Sequence, residues 1–232
     1  MIASATPAAQ ALRGSTTSIP IILATAADPV GAGLVASLAR PGGNVTGVSS
    51  NLPALVPKQL QLLREAIPGL QRVAFLGSTD DIATRLFVEQ AESATRVLGI
   101  HLQRVLVGQA SEFESAAHTM VRERAQAVVV QPLFAPQSGP LAEVLGRRKL
   151  PSISGLRPFA LAGGLMTFGP NRAEQWRRSA SFVDRVLKGA QPAALPVEEP
   201  TTFELALNLK TAWAIGLTIQ QSLRLRADEV VQ

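Results

Sequence analysis

With 232 residues, 47% of them hydrophobic and 17% charged, the chain has material for one large or two small cores, and its lack of cysteine rules out disulfides, thiolate catalysis and cysteine metal sites. The net charge of +5 is spread out, clustering only at Arg147-Arg148-Lys149 and Arg177-Arg178, and aromatics are 4% with no tyrosine. A nucleic-acid surface needs a basic stripe or interleaved aromatics, so no nucleic-acid partner is expected, and no apolar run is long enough to cross a bilayer.

The chain opens without a secretory signal: the stretch after Met1 has neither a basic start nor a long apolar core. Its Ala/Leu pattern from Thr6 to Leu12 reads as helix feeding a strand at Ile19–Ala24. Asp28 and Pro29 then start a helix, one as N-cap and the other at a position where a missing N–H costs nothing. That helix is expected from Val30 to Leu38, stopped by Pro41-Gly42-Gly43, with a strand at Asn44–Ser49. Gly31-Ala32-Gly33-Leu34-Val35-Ala36 fits the G-x-G-x-x-G/A dinucleotide pattern, but its glycines follow the helix cap. No acidic residue to hold a ribose occurs between Asp28 and Glu65 either. The stretch therefore reads as small residues packing a helix on a sheet, and no nucleotide or other cofactor is expected.

Leu55–Ile67 reads as a helix with Val56, Leu60, Leu63 and Ile67 on one face. A strand follows at Arg72–Gly77, then a polar loop, Ser78-Thr79-Asp80-Asp81, and a helix from about Ile82 to Leu98. After a strand at Ile100–Val107, Ser111 and Glu114 are spaced as a capping box for a helix reaching about Arg124. Val128–Gln131 is a strand, Pro132–Gly139 a loop, Leu141–Lys149 a helix and Pro151–Ser154 extended. A Gly-bounded connection, 155–164, leads to a strand at Leu165–Phe168. Asn171, with Glu174 three positions on, caps a helix whose apolar face would be Trp176, Ala180, Val183 and Leu187. The Pro-rich stretch 190–200 is an extended crossing, Thr202–Leu209 alternates as a half-buried strand, Lys210–Ile215 is a short helix, and the tail is weakly helical. Unalternated apolar strands separated by helices give an α/β fold with parallel sheets.

No catalytic or metal constellation emerges. The two histidines, His101 and His118, stand alone, and G-x-S-x-G and H-E-x-x-H are absent. Polar residues instead sit where open α/β sheets bind ligands, at carboxyl ends of strands: 25–28, 49–51, 78–80, Gln131 and 154–157. Such uncharged or singly charged hydrogen-bonders suit binding a small polar or amphiphilic molecule better than chemistry, so the chain is not expected to be an enzyme.

Four blocks in order, DPVGAGLVASLARPGGNVTGVS, KQLQLLREAIPGLQRVAFL, AGGLMTFGPN and VDRVLKGAQPAALPVEEPTTFELALNLKTAWAIGL, closely resemble the ABC-transporter substrate-binding proteins that include tryptophan- and tyrosine-binding members. The resemblance implies a type I periplasmic-binding-protein-like fold: two Rossmann-like lobes with parallel sheets, joined by three hinge crossings and closing on a solute. The crossings would be Gly47–Leu52, Thr167–Asn171 and Val197–Phe203. Residues 1–49 and 169–232 would form a first lobe and 50–168 a second. Family members open with a signal peptide and further strands, so the first lobe is expected to be incomplete, or completed by a second chain. Implied partners are a small-molecule ligand, such as an aromatic amino acid, and ABC permease subunits; the implied location is periplasmic or extracellular. The expected ligand-binding residues are Asp28 and Ser49, then Ser78, Thr79, Asp80, Gln131 and Arg157. Asp28 or Asp80 would meet an ammonium group, and Arg157 or helix N-terminal amides a carboxylate. A ligand-sensing domain of a regulator, and a non-functional fragment of a binding protein, are the alternatives.

Overall fold

The structure, a computed structural model, describes residues 1–232 and divides into two units. The first comprises residues 1–53, 81–83 and 170–203, and the second residues 54–80, 84–169 and 204–232. The chain changes unit after Pro53, Gly169 and Phe203, with residues 81–83 as a short excursion; the first change lies just past the segment Gly47–Leu52 and the other two lie in Thr167–Asn171 and Val197–Phe203. The expected division is corrected at its C-terminal end. Residues 204–232 contribute two strands to the second unit's sheet rather than belonging to the first.

The first unit holds a parallel three-stranded sheet in sequence order: β1 (Ile2–Ala3), β2 (Ile21–Ala26) and β3 (Val45–Ser49). Helix α1 (Thr6–Ser15) follows β1. Ile21, Leu23, Ala26 and Val45 pack with Ala9, Leu34, Val35 and Val197 in one apolar cluster, and Ile22 and Val48 with Phe182 and Leu195 in another. Every residue of β3 is buried, as expected of a parallel strand covered on both faces. Gly47, in its middle, has φ 130°, and a Cβ there would lie 2.3 Å from the Leu23 carbonyl oxygen, so only glycine lets β2 and β3 approach this closely.

The helix expected at Val30–Leu38 is absent. Asp28 does cap a turn, its Oδ1 accepting the Gly31 N–H at 2.8 Å. The turn does not propagate, because Gly33 takes φ 68°, outside the right-handed helical range, and residues 29–39 run as turns and bends. Gly31 is required by the cap itself, since a Cβ there would lie 1.9 Å from Asp28 Oδ2.

The second unit is built on a seven-stranded sheet in the order β10-β9-β8-β7-β6-β4-β5. Its strands are β4 (Arg72–Ser78), β5 (His101–Val107), β6 (Ala127–Val130), β7 (Ser152–Ser154), β8 (Met166–Pro170), β9 (Phe203–Asn208) and β10 (Glu229–Val231). Its helices are α2 (Val56–Ala66), α3 (Thr84–Leu98), α4 (Phe113–Arg122), α5 (Ser138–Arg147) and α6 (Pro158–Leu161). Ala74, Leu76, Val128 and Val130 pack on α4 and α5 through Phe113, Met120, Leu141 and Leu145, and Phe113 meets Phe134 edge-on at 5.3 Å. Burying each such ring contributes about 1.5–3 kcal/mol.

Several local expectations shift by a few residues. The capping box precedes α4 by one step: Glu112 Oε1 accepts the N–H groups of Gly108 and Gln109, while Glu114 pairs with Arg147 and Arg148. Helix α7 (Arg172–Leu187) is capped by Asn171, whose side chain accepts the Glu174 N–H at 2.8 Å. Its buried face is Gln175, Ser179 and Phe182, whereas Leu187 is 82% exposed. Strand β9 is buried from Leu205 to Asn208 rather than on alternate residues. Residues 209–225 form α8 (Leu209–Ile215) and α9 (Gln221–Leu225), and the tail ends as edge strand β10, which carries no alternation to announce it.

Candidate functional site

In each unit, polar side chains collect at the carboxyl ends of parallel strands, where loops leave the sheet with backbone groups that need partners.

In the first unit three such ends meet. Ser4, after β1, lies with its Oγ 3.0 Å from Thr25 Oγ1 at the end of β2. Thr25 Oγ1 also accepts the Ala5 N–H at 3.2 Å, and Thr6 Oγ1 accepts the Ala27 N–H at 3.1 Å. Ala5 is a non-glycine residue at φ 69°, ψ 156°, a conformation costing about 1–3 kcal/mol that these hydroxyls hold in place. Asp28 follows, partly exposed, its carboxylate used in the Gly31 cap. Ser49 closes β3 and is 2% exposed. Its Oγ donates to the Ala26 carbonyl at 3.3 Å and its own carbonyl accepts Gln175 Nε2 at 3.1 Å. Asp28 and Ser49 are thus on the same side of one sheet, but both make internal hydrogen bonds.

Behind these loops a cavity of about 340 Å³ opens within the first unit, lined by Val48, the start of α7 (Asn171, Glu174, Gln175, Arg178) and residues 198–202. Arg178 holds Glu198 through two parallel bonds, Nη2 to Oε1 at 2.6 Å and Nε to Oε2. This hydrogen bonding holds the Glu198 carboxyl below the usual carboxylate range and raises Arg178. Thr202 donates to Glu174. Glu198 also bridges Val48 in the backbone, its N–H donating to Gly47 O at 2.9 Å and its carbonyl accepting the Ser49 N–H at 2.8 Å. The first and third crossing segments are therefore sewn to each other and to α7. None of the seven expected ligand-binding residues lines this cavity.

In the second unit, Ser78, Thr79, Asp80 and Gln131 come together. Gln131, 1% exposed at the end of β6, accepts the Ser78 N–H at 2.7 Å and the Thr84 hydroxyl at 3.0 Å through one oxygen. The Ser78 carbonyl accepts Thr84 Oγ1 at 2.8 Å, and Ser78 Oγ accepts the Asp80 N–H at 3.1 Å. Thr79 and Asp80 are exposed at the tip, the hydroxyl donating to Asp80 Oδ1 at 2.9 Å. The loop is thus fixed from beneath by Gln131 and presents one carboxylate and one hydroxyl outward. The next residue, Asp81, accepts the Ala83 N–H at 3.0 Å.

Arg157 has a different setting. Its Nε and Nη2 bond Glu229 Oε2 and Oε1 at 2.5 and 2.6 Å, which raises its pKa and ties the start of α6 to edge strand β10. Sequence reasoning missed this pairing because Glu229 lies 72 residues on, in a tail without a strand signature. It also missed Ser4, Thr25's role as acceptor, and Arg172, whose Nη2 lies 3.4 Å from Ser4 Oγ. The Ser4-Ala5-Thr6 turn was legible only as the approach to a helix.

No helix is long and apolar enough to cross a membrane, and no group of three or more His, Asp or Glu residues could hold a metal ion. The arrangement offers hydrogen bonds, an exposed carboxylate at Asp80, a partly exposed one at Asp28 and buried supports, which suits reversible binding.

A curated "Tyrosine-binding protein" of Clostridioides difficile (strain R20291) is 26% identical over 229 residues, 98% of this chain, and the chain spans 64% of that relative's length. A solved ABC domain from Streptococcus pneumonia in complex with L-Trp is 29% identical, with a TM-score of 0.92 over 99% of this chain and 78% of its own. A conserved domain protein of Vibrio cholerae is 25% identical, with a TM-score of 0.93 over 99% and 77%. A LacI family transcriptional regulator of Bifidobacterium animalis shares the fold alone, at 14% identity and a TM-score of 0.62 over 88% and 74%. The fold is thus that of the type I periplasmic binding proteins, and the family model for ABC transporter substrate binding proteins matches residues 1–231: the chain belongs to that family.

Proposed function

We propose that this protein is the solute-capturing component of an ABC importer, and that its solute is a small amphiphile with an amino-acid head group, first of all an aromatic amino acid. The observation that carries the reading is its similarity along 99% of its length to a solved domain in complex with L-Trp. The curated tyrosine-binding relative points the same way. In this reading the protein works outside the cytoplasmic membrane, delivers solute to permease subunits, and holds it by hydrogen bonds without chemistry.

Thr79 and Asp80, exposed at the tip of a loop pinned by Gln131, would contact the solute directly, with Asp80 as the partner of its ammonium group. Ser78, Gln131 and Ser49 spend their buried polar atoms on neighbouring backbone, so their part would be to set the loop shapes. Arg157 would have to release Glu229 to reach an anion, which argues against it as the carboxylate receptor. The regulator reading rests on neighbours that share the fold alone.

A thermal-shift panel tests the reading. L-tryptophan, L-tyrosine and L-phenylalanine are expected to raise the unfolding midpoint in a concentration-dependent way, as any ligand specific to the folded state must. A panel in which sugars or fatty acids stabilise the protein and these amino acids do not would overturn it.

A further inference from the structure

We propose that Arg172, together with the hydroxyls of Ser4 and Thr25, receives the carboxylate of the solute in the first unit. The proposal rests on the amino-acid reading above and names which group recognises the acid end.

Arg172 is the first residue of α7 and is exposed. It forms no ion pair, whereas Arg157 and Arg178 are each held by two oxygens of one glutamate. Its one polar contact is the long 3.4 Å approach of Nη2 to Ser4 Oγ. A planar guanidinium matches a carboxylate with two parallel bonds, and most of its donors here are uncommitted. Asp28, the acidic residue of the strand-end loops in this unit, turns its carboxylate to the Gly31 N–H.

The surroundings also favour an anion. Ser4 and Thr25 share one hydrogen bond at 3.0 Å, and Thr25 already accepts the Ala5 N–H. Whichever of the two donates to the other, one hydroxyl proton is left over for a ligand. Ala5 at φ 69° holds this turn in a conformation that L residues rarely adopt, and the Thr6–Ala27 bond fixes it from the other side. Arg172 itself opens a 16-residue helix whose N-terminal partial charge is positive, and only the Glu174 N–H is taken up by the Asn171 cap. One cation, one spare hydroxyl donor and a helix N-terminus thus meet beside three strand ends of one sheet, a combination that attracts a carboxylate and repels an ammonium.

The test compares L-tryptophan with tryptamine, which lacks the carboxylate, by isothermal titration against the full chain and its Arg172→Met and Arg172→Lys variants. The parent protein is expected to prefer L-tryptophan. Arg172→Met should weaken L-tryptophan by about tenfold or more, the scale of a lost charge-assisted hydrogen bond, and leave tryptamine unchanged, so that the preference collapses. Arg172→Lys should restore part of it. Unchanged L-tryptophan affinity in Arg172→Met, or equal loss of both ligands, overturns the proposal while leaving the solute reading intact. A parent protein that binds neither ligand overturns both. Circular dichroism melts of the variants separate a binding effect from misfolding.

Discussion

The division of labour among polar residues turns on which of their atoms are already spent. Gln131 uses one carbonyl oxygen to hold Ser78 N–H and Thr84 Oγ1 in the second unit's interior. Gln131→Ala would strand the Ser78 N–H away from water, while the Thr84 hydroxyl keeps the Ser78 carbonyl as its acceptor, and chemical denaturation is expected to show a loss of about 1–3 kcal/mol. A loss under about 0.5 kcal/mol would mean that the loop re-satisfies itself. Asp80 is the converse case, exposed and outside the core. Asp80→Ala should leave the denaturation midpoint unchanged and weaken amino-acid binding; equal affinity in isothermal titration would remove it from the site. Much of this was legible in sequence, because Ser78, Thr79, Asp80 and Gln131 follow apolar strands and the ends of parallel strands are where ligands collect. Arg157 misled because a charged residue at such an end looks available until its partner is known, and Glu229 is remote in the chain.

Among the elements, α7 and the third crossing work as a pair. Arg178 and Glu198 join them by a bidentate bond, and Glu198 is stitched by its backbone to β3. Because hydrogen bonding to Arg178 lowers the Glu198 pKa in the folded state, the stabilisation is fully present above the ordinary carboxylate range. It is lost as pH falls through the lower native value. Both side chains keep substantial solvent contact, so the pair contributes only about 0.5–1 kcal/mol. Denaturation curves against pH should show this increment disappearing on the acid side, and Glu198→Gln should lose it at neutral pH and flatten that limb. An unchanged acid limb in the variant would mean that the pair adds nothing. The face of α7 shows why periodicity alone misplaces a helix: Trp176 and Leu187 are its conspicuous apolar residues, yet Phe182 is the anchor, and the same face carries Gln175 and Ser179. Gln175 is buried because its amide reaches the Ser49 carbonyl, a long-range need that sequence does not display. The expected helix after Asp28 failed for a local reason: a cap starts a turn, but glycine at φ 68° two residues after Gly31 ends it.

For the whole molecule, the α/β class and the parallel strands of both sheets were readable because buried parallel strands are unbroken apolar runs and their helices carry caps and Gly stops. Pro and Gly content made the segments 167–171 and 197–203 readable as candidate crossings. The ownership of 204–232 was not, since it depends on β9 pairing beside β8 and on β10 pairing with β9, and neither pairing leaves a mark on either strand alone. The central claim is that this protein captures an amino acid of the aromatic class. The most direct measurement is isothermal titration of the protein with L-tryptophan and L-tyrosine. Saturable one-to-one binding, weakened by Arg172→Met and by Asp80→Ala, is expected; no saturable heat with either amino acid would rule out capture of an aromatic amino acid.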